Sequence, residues 1–144
     1  MTASARNTDT KGFTEFSEWL RNNSALDSNK GYTATNVDFM WRDYNTEEWI
    51  LLEEKRKNAS VSRSQMGMFS ILDSACMSDK NYKGFWILQF ENLSPMDGYM
   101  TLQRIGCDTK YSPSPDELTR FLSFKKWSPP VGCISELAQL KEDI

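Results

Sequence analysis

Asp38, Glu53 and Lys55 are the residues whose types and spacing can do chemistry. They lie in two runs, Thr35-Asn36-Val37-Asp38-Phe39-Met40-Trp41 and Trp49-Ile50-Leu51-Leu52-Glu53-Glu54-Lys55. Both runs read as β-strands, and the polar link between them reads as a hairpin turn. A turn centred on Asn45-Thr46 sets the pairing by counting: Arg42 faces Trp49, Met40 faces Leu51 and Asp38 faces Glu53. Directly opposed residues of an antiparallel pair have Cβ atoms roughly 4.5–5.5 Å apart, so two carboxylates there repel. Side chains alternate along a strand, which puts Glu53 and Lys55 on one face. Two facing carboxylates with an ammonium one step along are costly unless a cation joins them. Mg²⁺ suits such a pair, because it takes few carboxylates and keeps several waters; the Glu54 carbonyl is a further candidate ligand.

The rest of the composition narrows the chemistry. The chain has no histidine, which excludes Ser-His and Cys-His nucleophilic machinery and His-based zinc sites. Acid–base work falls to carboxylates, lysine, tyrosine or metal-bound water. Cys76, Cys107 and Cys133 are odd in number and widely spaced, so neither a disulfide framework nor a zinc site is expected. Reduced thiols, no apolar run of membrane-spanning length and no apolar signal segment together read as a cytoplasmic protein. A net charge of −3 argues against broad adhesion to nucleic acid and leaves room for a local basic patch.

The elements that position these residues can be placed in order. Residues 1–10 read as a disordered tail and residues 11–144 as one domain. Phe13, Phe16, Trp19 and Leu20 recur at helical spacing and predict a helix over 11–22. After the hairpin, Ser60 or Ser62 can cap a helix running to about Met77, with Gln65, Met68, Phe69, Leu72 and Cys76 as its inward stripe. Phe85-Trp86-Ile87-Leu88-Gln89-Phe90 reads as a strand covered on both faces, parallel to the Glu53 strand across the helical crossover. Residues 99–105 predict another strand. A Ser-Pro-Ser-Pro connector then leads into a helix from Asp116 to about Phe124, and the apolar residues of segment 127–140 make it a candidate dimer interface.

An acid-bearing helix, a strand with Asp, a strand ending Glu-x-Lys and a helix with Gln near its start together resemble the PD-(D/E)xK nuclease superfamily, which includes restriction endonucleases and Holliday-junction resolvases. The likeness covers roughly residues 11–90. Val37 stands where the signature names Pro. The resemblance implies an α/β restriction-endonuclease-like αβββαβ core, a central mixed sheet flanked by helices, and Mg²⁺-dependent phosphodiester cleavage, with Mn²⁺ able to substitute. It matches Asp38, Glu53 and Lys55 to the catalytic signature, Gln65 to a glutamine of several branches, and Glu15 to a helix-borne metal ligand of some. Glu15 is preferred to Glu18 because it flanks the apolar stripe.

Around that centre, Arg56, Lys57 and Arg63 cluster between strand and helix as candidate phosphate contacts, and Lys125-Lys126 form a second basic patch. Each also reads as ordinary surface charge. The leading expectation is a metal-dependent endonuclease acting on nucleic acid, DNA in preference, as a homodimer. The alternative is a catalytically silent module of the same fold that binds nucleic acid or a protein partner.

Overall fold

The computed structural model describes residues 14–125. The chain divides into two compact units, Met1–Thr35 and Asn36–Ile144. In the first, α1 (Glu15–Asn22) starts at Thr14, whose hydroxyl accepts the Ser17 N–H at 3.0 Å. This cap places the helix start later than the apolar periodicity predicts. Two short 3₁₀ turns follow.

The second unit is built on a four-stranded mixed sheet. Its strands are β1 (Phe39–Arg42), β2 (Trp49–Lys55), β3 (Tyr82–Phe90) and β4 (Met100–Arg104), in the spatial order β1-β2-β3-β4. β1 pairs antiparallel with β2, and the register expected from the hairpin holds: Arg42 faces Trp49 and Met40 faces Leu51. β2 connects to β3 through α2 (Arg63–Cys76), and the two strands are parallel. β4 returns antiparallel to β3. Two strands lie between α1 and α2, not the three of an αβββαβ order.

Local chemistry explains the helix starts. Ser62 caps α2 by accepting from the Gln65 N–H, while the Gln65 side chain reaches back to the Ser62 N–H, a complete capping box. Ser114 and Glu117 form the same device at α3 (Pro115–Leu122), with Pro115 in the first turn, where its missing N–H costs nothing.

Each face of the sheet has its own core. One face packs Ile50, Leu52, Trp86, Leu88, Phe90, Met100 and Leu102 against Tyr111 and α3. The other packs Leu51, Tyr82 and Phe85 against Phe69 of α2. Two residues of α2 depart from the expected stripe: Leu72 is exposed, and Met66 packs inward. The β2–β3 register slips between Trp49 and Leu51, next to Gly84. Gly84 has φ +112°, and a Cβ there would lie 2.2 Å from Arg104 Nε. Only glycine fits this bulge, which lets both Tyr82 and Phe85 reach the α2 side.

The cysteines depart from expectation. Cys76 is free, but Cys107 is disulfide-bonded, with its partner outside the described residues. An odd count accommodates one bridge and one thiol, and a disulfide removes the thiol argument for a reducing compartment. Among the described residues no helix is long and apolar enough to cross a membrane. The candidate dimer segment 127–140 lies outside the described residues.

Candidate functional site

The hairpin register places Asp38 one step before β1 and beside Glu53 of β2. The two residues exchange hydrogen bonds. The Asp38 N–H donates to Glu53 Oε1 at 3.3 Å, and the Glu54 N–H donates to Asp38 Oδ2 at 2.8 Å. Each carboxylate is thereby pinned by main chain belonging to the other's strand. Glu53 is the one charged residue among the buried side chains described, at 4 % exposure, whereas Asp38 is open to solvent.

Lys55 shares the face of Glu53. Its Nζ lies 3.6 Å from Glu53 Oε2 and donates to Gln65 Oε1 at 3.1 Å. Gln65 does two jobs with one oxygen, since Oε1 also accepts the Ser62 N–H at 3.4 Å in the capping box. Backbone capping and lysine placement therefore meet in one side chain. Asp38, Glu53, Lys55 and Gln65 are thus brought together from the approach to β1, from β2 and from the first turn of α2.

The electrostatics are unbalanced toward negative charge. Burial, followed by the charge of Asp38, raises the Glu53 pKa above its ordinary value; the Asp38 N–H and Lys55 oppose this without cancelling it. The folded chain alone therefore disfavours ionised Glu53. A divalent cation would reverse that preference, because it adds positive charge where two carboxylates converge. Among the described residues no group of three or more His, Cys, Asp or Glu side chains is gathered to hold a metal. Two neighbouring carboxylates would suit Mg²⁺, which takes few protein ligands and keeps several waters.

The basic residues divide. Arg56 and Lys57 line an open cavity of about 510 Å³ together with Glu54, Lys55 and Leu93, directly continuous with the lysine of the site. Arg56 is paired loosely with Glu54, at 3.9 Å. Lys57 and Asn58 have φ of 56° and 58°, a left-handed pair that turns the chain out of β2. Their N–H groups still bond to Asn92 and Phe90 carbonyls at 2.9 Å, which fixes the turn. A lysine in this conformation is uncommon, and such residues concentrate at functional sites. Arg63 is exposed at the first position of α2 and does not line that cavity. Glu15 opens α1 in the other unit, exposed in a first helical turn where an acid favours the helix dipole. Lys125 is exposed at the end of the described residues.

Sequence reasoning missed Gln89, which faces Lys55 in register from β3. It is the polar residue inside the apolar run Phe85–Phe90, and that was its available signal. No protein-family profile matches the chain, and no curated protein or solved structure is significantly similar to it.

Proposed function

We propose that this protein is a metal-dependent nuclease that hydrolyses phosphodiester bonds, with DNA as the favoured substrate. The observation that carries the reading is the convergence of Asp38, Glu53, Lys55 and Gln65 in one cluster in which Glu53 is buried and its charge is under-compensated. The Asp at the approach to β1 and the Glu-x-Lys that ends β2 support the nuclease reading of these two segments.

Mg²⁺ or Mn²⁺ held by Asp38 and Glu53 would supply charge neutralisation and an activated water. The chain's own residues do the rest. The Asp38 and Glu54 N–H groups fix both carboxylates, so no reorganisation is needed when charge develops. Lys55, held between Glu53 and Gln65, directs its ammonium to the attacking water and to the phosphate oxygens. Gln65 is a positioning residue acting through Lys55. Arg56 and Lys57 bind phosphates on either side of the scissile one, and each contact adds to the salt dependence of binding. A cut through both strands needs two such centres, so the working form is read as a symmetric homodimer.

The test is cleavage of plasmid and of labelled oligonucleotides with Mg²⁺, Mn²⁺ or chelator, for wild type, Asp38→Asn and Glu53→Gln. Asp38→Asn retains an acceptor for the Glu54 N–H, so it isolates charge from fold. Metal-dependent cleavage lost in both variants is expected. Cleavage that survives chelator, or is equal in all three proteins, would overturn the reading.

A further inference from the structure

Beside the carboxylates the sheet carries a second recess of different chemistry. In register, Glu53 faces Ile87 and Ile87 faces Gln103, while Lys55 faces Gln89 and Gln89 faces Thr101. Cross-strand partners share a face, so a row of neutral hydrogen-bonding groups continues from the site across β3 to β4. Gln89, Thr101 and Gln103 line a cleft of about 170 Å³ whose apolar wall includes Ile87 and Met66. It begins one strand spacing, about 4.8 Å, from Glu53 and Lys55. That is within the reach of a single nucleotide.

The polar groups are held in place. Gln89 Nε2 donates to the Ala59 carbonyl at 2.7 Å, and its Oε1 accepts the Thr101 hydroxyl at 3.2 Å. Gln103 Nε2 donates to the Cys107 carbonyl at 2.7 Å, which leaves the amide oxygen of Gln103 to accept from a ligand. No acidic side chain lines the cleft, and its one cation is the exposed Lys110. Fixed acceptors over an apolar wall are a poor phosphate site. They suit a flat, partly apolar group that carries N–H donors. The volume is below the roughly 300–1,000 Å³ of sites for drug-sized ligands and fits one ring system.

We infer that this cleft receives an unpaired nucleobase of the strand whose phosphate lies at the Asp38–Glu53–Lys55 site. The inference rests on the nuclease reading and names its substrate class. A base can enter a recess of this size only when it is unstacked and unpaired, which costs a few kcal/mol in an intact duplex and little in a single strand. The substrate is therefore single-stranded or locally unpaired nucleic acid.

The experiment measures fluorescence anisotropy of labelled single strands, a blunt duplex and the same duplex with one unpaired nucleotide, all in chelator so that no cleavage intervenes. Cleavage of the three with Mg²⁺ follows. The wild type is expected to bind the single strand and the bulged duplex at least tenfold more tightly than the blunt duplex. Ser60→Trp, which places a ring from the exposed rim of the cleft, is expected to bring that ratio close to one, and Lys110→Met to leave most of it. Circular dichroism melting checks that each variant is folded; if Ser60→Trp is not, Thr101→Val, which exchanges a hydroxyl for a methyl, is expected to lower the ratio at least threefold. Equal binding of all three substrates by the wild type, or an unchanged ratio in the folded cleft variant, overturns the inference. Preference for unpaired strands with no cleavage would sink the nuclease reading and leave the cleft standing, and cleavage without that preference would do the reverse.

Discussion

Replacing Glu53 with glutamine tests the electrostatic logic of the site directly. Gln is a neutral mimic of protonated Glu and keeps an oxygen for the Asp38 N–H. In the folded protein, burial and Asp38 raise the Glu53 pKa above its ordinary 4.5. A raised carboxyl contributes stability below the unfolded value and loses it as pH rises through the folded one, so at neutral pH ionised Glu53 is a net cost. Relief of a like-charge pair across strands is worth roughly 0.2–1 kcal/mol. For a chain of this size about 1 kcal/mol moves the melting temperature by about 4 °C. Metal-free Glu53→Gln is therefore expected to melt about 1–4 °C above wild type at pH 7, with the gain shrinking toward pH 4. Mg²⁺ at a hundredfold its dissociation constant should stabilise wild type by about 2.7 kcal/mol. By the same scale that is about 11 °C, and the variant should lose it. Thermal melts with chelator and with Mg²⁺, at pH 4 and 7, give all four numbers. A metal-free variant less stable than wild type at pH 7, or one that keeps the Mg²⁺ shift, would refute the argument.

Three further substitutions separate position from chemistry. Lys55→Met should retain the Mg²⁺-induced rise in melting temperature and lose turnover; loss of both would mean that the lysine supports the carboxylates only as a counter-charge. Gln65→Ala removes half of the α2 capping box and the 3.1 Å partner of Lys55. A cost of about 0.5–1 kcal/mol with a fall in kcat and little change in KM is expected, and denaturant melts with normal turnover would leave Gln65 only its capping role. Tyr82→Phe removes a 2.6 Å hydrogen bond to Asp73, which is largely buried and lies 3.8 Å from Arg104; urea unfolding should show a loss of roughly 1–3 kcal/mol with cleavage unaffected.

The site was legible in the sequence to the extent that local rules govern it. Asn45-Thr46 at the turn centre determines the hairpin register, and register alone decides that Asp38 meets Glu53 rather than sitting on the opposite face. Ser62 and Gln65 carry the capping box at helical spacing, so the start of α2 could be read within a residue or two. What could not be read depends on contacts between distant segments. The interior stripe of α2 is set by where the sheet lies, and Met66 displaces Leu72 from it. The bulge at Gly84 packs against an arginine twenty residues on. Strand alternation puts Thr101 and Gln103 on one face of β4, but Gln89 joins their row only when β4 is laid beside β3.

Gln65 shows why the local and the distant parts act as one device. The chain leaves β2 through two left-handed residues, Lys57 and Asn58, whose N–H groups are tied to the end of β3. That turn delivers Ser62 to the place where α2 must begin, and the cap delivers the Gln65 oxygen to Lys55. Lys55 is held by a helix start that combines the local Ser62–Gln65 cap with a turn tied to the end of β3. On the nuclease reading, a lysine so anchored would lose little rotamer freedom on meeting a phosphate, since its ordering cost is met in folding. The buried Glu53 is the converse: its pinned carboxylate opposes folding in its charged form and draws on the same strand pair for its position. Stability and preorganisation therefore trade against each other at two same-face residues of β2, Glu53 and Lys55.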